Sequence, residues 1–364
     1  MMRIAIVNRH PSVALGGSET QCDLIARRLG ARHDVLYVAP GGADGPDSPY
    51  AVAPVPERPE AILAEIHRHR SDVVYWRFGL RHLRAVGVAL RRDAIPLVLA
   101  SSHERDLIRG AVPPAAPGAG PLARVLHLRD LARALRDHRG LDEVAALVVN
   151  SMVHLELSDI RPRIHIGNGV AAPDRDFPWP RPYVAWVANL KPEKRPEVCI
   201  PLASGIEDLG IDVLMVGRAQ VRAYEGFADR RDLPSNLHVL GPLPAASASA
   251  VLAGALLHVH TCRPEGFPNV FLQAWRAGVP SVSLEYDPSG VMAREGTGLV
   301  AGGDIDRLIA AVRELLRDPE RRADLGAAAA TYARTHADPD LAADRLERFL
   351  IEVTGGRTPP RAAA

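Results

Sequence analysis

The chain has 364 residues, 47% of them hydrophobic and 24% charged, with 44 basic against 43 acidic residues and a formal net charge of +1. Such a balance gives no global field for nucleic acid or an anionic membrane, so any polyanion site must be local. The length exceeds what one hydrophobic core usually supports, and two domains are expected.

Cys22, Cys199 and Cys262 are too few and too irregularly spaced for a disulfide framework or a zinc cluster. The apolar run near the amino terminus is too short for a secretory signal. No stretch approaches the ~18 to 20 apolar residues of a spanning helix. A cytoplasmic location is expected, with peripheral contact at the inner face of a membrane left open.

In chain order, "RIAIV" (3–7) predicts a strand and is followed by a glycine pair and an amphipathic stretch. "HDVLYVA" (33–39), "DVVYWR" (72–77), "IPLVLAS" (95–101) and "ALVVNS" (146–151) repeat the run. Near-continuous apolar strands alternating with helices indicate a parallel sheet covered on both faces. Four prolines interrupt the pattern within "NGVAAPDRDFPWPRP" (168–182), the best linker candidate.

The cycle then restarts with "YVAWVAN" (183–189), "DVLMVG" (212–217), "LHVLG" (237–241), "LLHVHT" (256–261) and "PSVSLE" (280–285). Helices are expected over 269–277, 304–318 and 339–353, and the tail "GGRTPPRAAA" (355–364) reads as disordered. The expected organisation is a first doubly wound Rossmann-like domain over 1–170, a linker over 171–182 and a second such domain over 183–338. The helix 339–353 is free to pack on either. Ligands of such sheets bind at the carboxyl ends of the strands, so the expected site is a central cleft faced by both domains, which would close on a ligand.

After the first strand, Gly16 and Gly17 fit either a plain turn or a place for close approach of a ligand, with Ser18 and Gln21 spaced as a capping box. The dinucleotide fingerprint G-x-G-x-x-G is absent there, which argues against a nicotinamide enzyme. Directly behind the restarting strand, Lys191, Lys194 and Arg195 are placed either to meet a pyrophosphate or to form a solvated basic turn. In "RPEGFPNVFLQAWRAG" (263–278), Pro268 suits the first helical position, leaving the amides of Asn269 and Val270 to face an anion. Gly266 leaves room for a phosphate. Gln273, four residues past Asn269, shares its helix face, while Val270, Phe271, Ala274 and Ala277 face the sheet.

This segment resembles the E-x7-E signature of family 4 GT-B glycosyltransferases. "GGSE" (16–19), "HE" (103–104), "NGV" (168–170), "NLKPEKRP" (189–196) and "DPSGVMAREGTGLV" (287–300) extend the resemblance over nearly the full length. The resemblance implies a GT-B fold and transfer of a hexose-type sugar from a nucleotide-diphosphate sugar, UDP- or GDP-linked, to an acceptor hydroxyl. It implies retained anomeric configuration, with no metal and no cofactor beyond that co-substrate.

It further implies that Glu265 contacts the transferred sugar, Lys194 the diphosphate, and His103 the sugar from the first domain. Asn189 falls where the family has an arginine, with Lys191 as a stand-in. Gln273 falls where the second glutamate grips the ribose. Gly217 and Arg218 fit either a wall for the nucleotide or a surface turn, and Phe267 completes the "EGFPN" donor loop. The other donor contacts would be Gly16, Gly17, Gly266, Asn269 and Val270.

On the acceptor side stand Arg77, beside Trp76 and Phe78 in "YWRFG", and Glu104. "DRD" (174–176) has the form of a metal-binding motif but lies in the proline-rich stretch, and is read as chance. "PLARVLHLRDLARALRDHRG" (121–140) is a basic amphipathic stretch, open to a membrane-surface role or to packing on its own sheet, the latter being the commoner arrangement. A non-hydrolysing nucleotide-sugar 2-epimerase and a non-enzymatic glycosyltransferase-like binding protein are the alternatives.

Overall fold

The computed structural model describes residues 1–13, 16–43, 48–101, 103–112, 121–172, 177–263 and 267–355, and of 121–124 the backbone alone. Two compact units divide the chain: Met1–Gly169 with everything from Pro339 onward, and Val170–Asp338.

The first unit runs β1 (Arg3–Val7), α1 (Gly17–Gly30), β2 (Asp34–Pro40), β3 (Ala51–Val55), α2 (Pro59–Arg68), β4 (Val73–Trp76), α3 (Leu83–Arg92), β5 (Leu97–Ser101), α4 (Pro121–His138), β6 (Ala146–Val149) and β7 (Arg163–His165). Its strands are all parallel, in the order β3-β2-β1-β4-β5-β6-β7. Helix α3 shows how the layers close. Leu83, Val86, Gly87 and Leu90 recur at helical spacing and are buried against the sheet. A Cβ at Gly87 would come within 2.5 Å of Glu143 Cβ, so the helix lies close because that residue has no side chain.

The second unit runs β8 (Tyr183–Val187), α5 (Cys199–Ser204), β9 (Asp212–Val216), β10 (Leu237–Gly241), α6 (Ala245–Gly254), β11 (Leu257–His260), α7 (Asn269–Arg276), β12 (Ser281–Ser283), α8 (Val291–Glu295), β13 (Gly298–Val300), α9 (Ile305–Arg317) and α10 (Pro319–His336). Its sheet is also parallel, in the order β10-β9-β8-β11-β12-β13. In both sheets the order reverses beside the unit's first strand, between β1 and β4 and between β8 and β11. There the loops leaving the carboxyl ends part in opposite directions and open a crevice.

The last helix, α11 (Pro339–Val353), belongs to the first unit. Leu346, Phe349 and Leu350 enter the core formed with α1 and β1. Arg28 pairs with Asp340 at 2.6 Å, Arg32 with Asp344 at 2.7 Å, and His33 with Glu347 at 2.7 Å. The stretch 171–182, expected as a linker, is anchored along its second half. Phe177 and Trp179 stack and pack on the second unit's core, and Trp179 Nε1 donates to the buried Asp212 carboxylate at 2.9 Å.

Candidate functional site

At the switch point of the second unit, the loops after β8 and β11 are tied together around the Thr261 hydroxyl. Thr261 Oγ1 accepts from Trp186 Nε1 at 2.8 Å and lies 2.6 Å from the Lys194 carbonyl and 3.2 Å from that of Arg195, to which it donates. Arg195 adopts left-handed backbone angles, φ 47 and ψ 54. Its Nε donates to the Thr261 carbonyl at 2.7 Å and its guanidinium pairs with Glu285, beyond β12, at 2.8 Å. Arg195 is therefore a brace across three strand ends. Lys191 and Lys194 begin and end the short 3-10 turn that this brace fixes.

The loop after β8 also continues its pairing with the loop after β9. Leu190 N donates to the Arg218 carbonyl at 2.8 Å, Gln220 N to the Leu190 carbonyl at 3.0 Å, and the Asn189 side chain accepts from Arg218 N at 3.5 Å. Gly217 makes this possible, since a Cβ there would lie 1.8 Å from the Ala188 carbonyl oxygen. Asn189, Lys191, Lys194, Gly217 and Arg218 are thus gathered at the carboxyl ends of β8 and β9.

Helix α7 begins at Asn269, with Pro268 as its N-cap and no side-chain cap bond. The helix start matches the expected range 269–277, while Pro268, expected at the first helical position, stands one place earlier as the cap. Its inner face is wider than expected, with Leu272 and Trp275 buried beside Phe271 and Ala274. Val270 is half-buried, as are Asn269 and Gln273 on their shared face. Phe267 is buried edge-on against Trp275, so its side chain serves the core. Glu265 and Gly266, and Asp174 to Asp176, lie outside the described residues.

Under α7 is a polar layer that apolar patterning does not announce. His258 and His260, alternate residues of β11, both meet the Phe271 ring, at 5.1 and 4.5 Å between centroids. Ser281 Oγ accepts from Trp275 Nε1 at 2.9 Å and bonds His258 Nδ1 at 2.9 Å. Burial holds the His258 pKa well below its ordinary value, with His260 adding to the effect, so the ring is neutral near pH 7.

The first unit carries a different row at its carboxyl edge. After β1, Asn8 is buried and donates to Ser18 Oγ at 3.1 Å and Cys22 Sγ at 3.4 Å. His10 is buried against Tyr37, with its pKa lowered chiefly by burial. After β4, Arg77 donates to the Asn168 side chain at 3.1 Å. Trp76 and Phe78, expected beside Arg77 on the acceptor side, are instead core residues in edge-on contact, because β4 is buried on both faces.

After β5, His103 caps a 3-10 turn, its Nδ1 accepting from Arg105 N at 3.1 Å, which leaves Nε2 to carry the proton of the neutral ring. Glu104 is exposed beside it. After β6 come the buried Asn150 and His154. Burial lowers the His154 pKa, opposed by the Glu104 charge and reinforced by that of His103. Asn150 Oδ1 and His154 Nδ1 are buried without a hydrogen-bond partner among the described residues.

The proposed capping box at α1 does not form. Gly16 is the N-cap, with no side-chain cap bond, and Gln21 is buried, exchanging hydrogen bonds of 2.7 and 2.9 Å with the Gly169 backbone. Gly16 is extended, φ −149, and a Cβ there would meet only the flexible Glu19 carboxylate. Neither Gly16 nor Gly17 is among the glycines at positive φ, so no special backbone angle calls for the pair.

The family model of the group 1 glycosyl transferases matches residues 173–332, less than half of the chain and nearly all of the second unit. Among solved structures, a sucrose-phosphate synthase from Thermosynechococcus elongatus superposes with a TM-score of 0.75 at 17% identity, over 98% of this chain and 100% of that one. The fold is GT-B.

Another GT-B neighbour, Anabaena HepE in complex with UDP and glucose, gives 0.70 at 16% identity over 97% and 100%. A GDP-mannose-dependent alpha-(1-6)-phosphatidylinositol monomannoside mannosyltransferase of Mycobacterium tuberculosis is 26% identical over 360 residues, 94% of this chain and 83% of that protein. The GDP-mannose-dependent monoacylated alpha-(1-6)-phosphatidylinositol monomannoside mannosyltransferase of Corynebacterium glutamicum is 29% identical over 181 residues. That match covers 46% of this chain and spans about half, 47%, of the relative's length. Family match and relatives support a glycosyltransferase and do not favour the epimerase.

Within the GT-B chain the family match encloses Asn189, Lys191, Lys194, Gly217, Arg218, Phe267, Asn269, Val270 and Gln273. Gly16, Gly17, Arg77, His103 and Glu104 fall outside it. Thr261, Arg195 as a brace, Asn150 and His154 were not singled out as site residues from sequence. The available signal was position: Thr261 and Asn150 directly follow β11 and β6, and Arg195 and His154 lie farther along the loops after β8 and β6.

Proposed function

We propose that this protein is a retaining mannosyltransferase that takes its sugar from GDP-mannose and delivers it to a hydroxyl of a lipid-borne glycan, from the inner face of a membrane. The observation that carries the reading is the group 1 glycosyl transferase match over the unit whose switch point gathers Asn189, Lys191, Lys194 and the start of α7. The names of the two mannosyltransferase relatives supply the donor base and the acceptor class.

In this reading Lys191 and Lys194 neutralise the diphosphate, the amides at the start of α7 donate to it, and Gln273 bonds the ribose. Glu265 holds the sugar hydroxyls near the reacting carbon, and His103 faces the sugar from the first unit. The anomeric C–O bond to the diphosphate breaks while the acceptor oxygen bonds the same face of that carbon. The acceptor's proton passes to the departing diphosphate oxygen, so the protein supplies positioning and charge stabilisation with no dedicated base, metal or further cofactor.

The test is transfer from GDP-mannose to phosphatidylinositol monomannoside, with the product's anomeric configuration read by NMR. An α-linked mannose supports the proposal. A β-linkage removes retention, and transfer from UDP-sugars alone removes the donor assignment.

A further inference from the structure

We propose that His138, in the last turn of α4, is a positioning residue for His103: it grips the backbone that fixes the orientation and tautomer of the His103 ring. The inference deepens the proposed reaction, in which His103 faces the sugar, and rests on that reading for its effect on turnover alone.

Helix α4 does not bury an apolar stripe on its own sheet. Val125, Leu128 and Leu135 are exposed, whereas His138 is buried. The chain just beyond His138 is drawn against α3 because Gly140 has no side chain. A Cβ there would lie 2.8 Å from Arg84 N and 2.9 Å from Leu83 Cβ. So placed, His138 has Nδ1 at 2.6 Å from the Ala134 carbonyl and Nε2 at 2.7 Å from the Arg105 carbonyl. Carbonyl oxygens only accept, so both ring nitrogens must donate, and only the imidazolium carries two N–H groups. A neutral ring would turn a lone pair toward one of the two oxygens.

Arg105 links this ring to His103. Its carbonyl is held by His138, and its own N–H donates to His103 Nδ1 at 3.1 Å. If Arg105 rotates, His103 loses the bond that keeps its proton on Nε2. The same turn supplies a counter-charge. Asp106 is half-buried, accepts from the His103 backbone amide and lies 3.4 Å from Ser101 Oγ. Burial pushes the Asp106 carboxyl up, opposed by His103, the Ser101 bond and the His138 charge.

The other charges near His138 are already engaged. Arg109 Nη1 donates to the His138 carbonyl at 3.3 Å, and its guanidinium pairs with Asp142. Asp137, the preceding residue, pairs with Arg136 at 3.3 Å, and Arg139, the following one, is exposed. When His138 gives up one proton as pH rises, one of its two carbonyl contacts is lost and the grip on Arg105 weakens. Turnover should therefore fall on the alkaline side of the His138 titration.

The test begins with 15N NMR of the histidine side chains in the full chain near neutral pH. His138 should show two protonated nitrogens and His103 one tautomer, protonated at Nε2. His138→Leu should release that tautomer and lower kcat with GDP-mannose by up to about a hundredfold, as misplacement of a contact group can. Affinity for GDP, which has no sugar for His103 to meet, should not change. His138→Gln, whose amide can donate to the Arg105 carbonyl, should recover most of the loss and abolish the alkaline fall in rate.

A singly protonated His138 or a mixed His103 tautomer in the wild-type chain overturns the proposal. So does an unchanged kcat in His138→Leu, or an equal loss in both variants that follows their urea unfolding midpoints. If His138→Leu does not fold, the wild-type spectrum and the pH profile of His138→Gln decide the matter. The expected spectra with no transfer from GDP-mannose by the wild-type chain would leave the grip on His103 standing and remove the reaction.

Discussion

The carboxyl edges of the two sheets share a strand order but are finished differently. In the second unit the strand ends are tied to one another by the chain itself. Thr261 satisfies an indole and two carbonyls, Arg195 spans three loops, and Gly217 lets the loops after β8 and β9 touch. In the first unit Asn150 and His154 each bury a polar atom with no partner among the described residues, and α4 turns its apolar stripe outward. A pre-tied edge suits a ligand part that never varies, such as a nucleotide diphosphate. Unfilled hydrogen-bonding positions suit a polar group that arrives with the acceptor, because leaving such atoms buried and unmet costs about 1 to 3 kcal/mol each.

The comparison can be broken at several points. The largest effect is expected at Glu265→Gln, which should lower kcat at least about a hundredfold while donor affinity changes little, since in the proposed reaction the carboxylate acts on the sugar near the reacting bond. A fall in donor affinity alone, with kcat preserved, would remove that role. Next is Thr261→Val, which leaves an indole N–H and two carbonyls unmet and should destabilise the protein by about 1 to 3 kcal/mol in urea unfolding. Donor affinity should fall with it, because Lys194 loses its anchor. A stable variant with unchanged donor affinity would mean that the hydroxyl ties nothing that matters.

Smaller effects should separate the two edges. Asn150→Ala and His154→Ala are each expected to raise the acceptor KM up to about tenfold, from loss of one hydrogen bond, with donor affinity unchanged. Donor affinity that moves instead would place those residues on the wrong substrate. Smallest is Gln273→Glu. Restoring a carboxylate strengthens the ribose bonds but adds a negative charge beside a diphosphate, so donor affinity should shift less than about tenfold with kcat intact. Loss of turnover in this variant would contradict a ribose contact.

How much could be read beforehand follows the same division. Strands buried on both faces, such as "RIAIV" and "DVLMV", are plain in the sequence because apolar runs mark them. β3, β7 and β13 escaped that reading, and all three are sheet edges. They are short and only partly buried, and β3 contains Pro54, which an edge strand tolerates because one side needs no ladder bond. The capping box failed because Gln21 found a stronger tertiary claim on the Gly169 backbone. Thr261 and His154 carry no local signature, since a threonine or histidine after a strand becomes informative only when its partners, 67 residues away at Lys194 or in another loop at Glu104, are placed beside it. The second unit's edge was legible as a string of motifs, while the first unit's row depends on what the fold brings together.

The most direct test of the central claim, that the second unit is a nucleotide-sugar donor site, is a thermal unfolding panel of the full chain with GDP-, UDP-, ADP- and dTDP-sugars. GDP-mannose should stabilise it by about 2.7 kcal/mol at a hundred times its Kd, and Lys194→Ala should sharply reduce that gain. Absence of any shift with all four nucleotide classes at millimolar concentration would contradict the account.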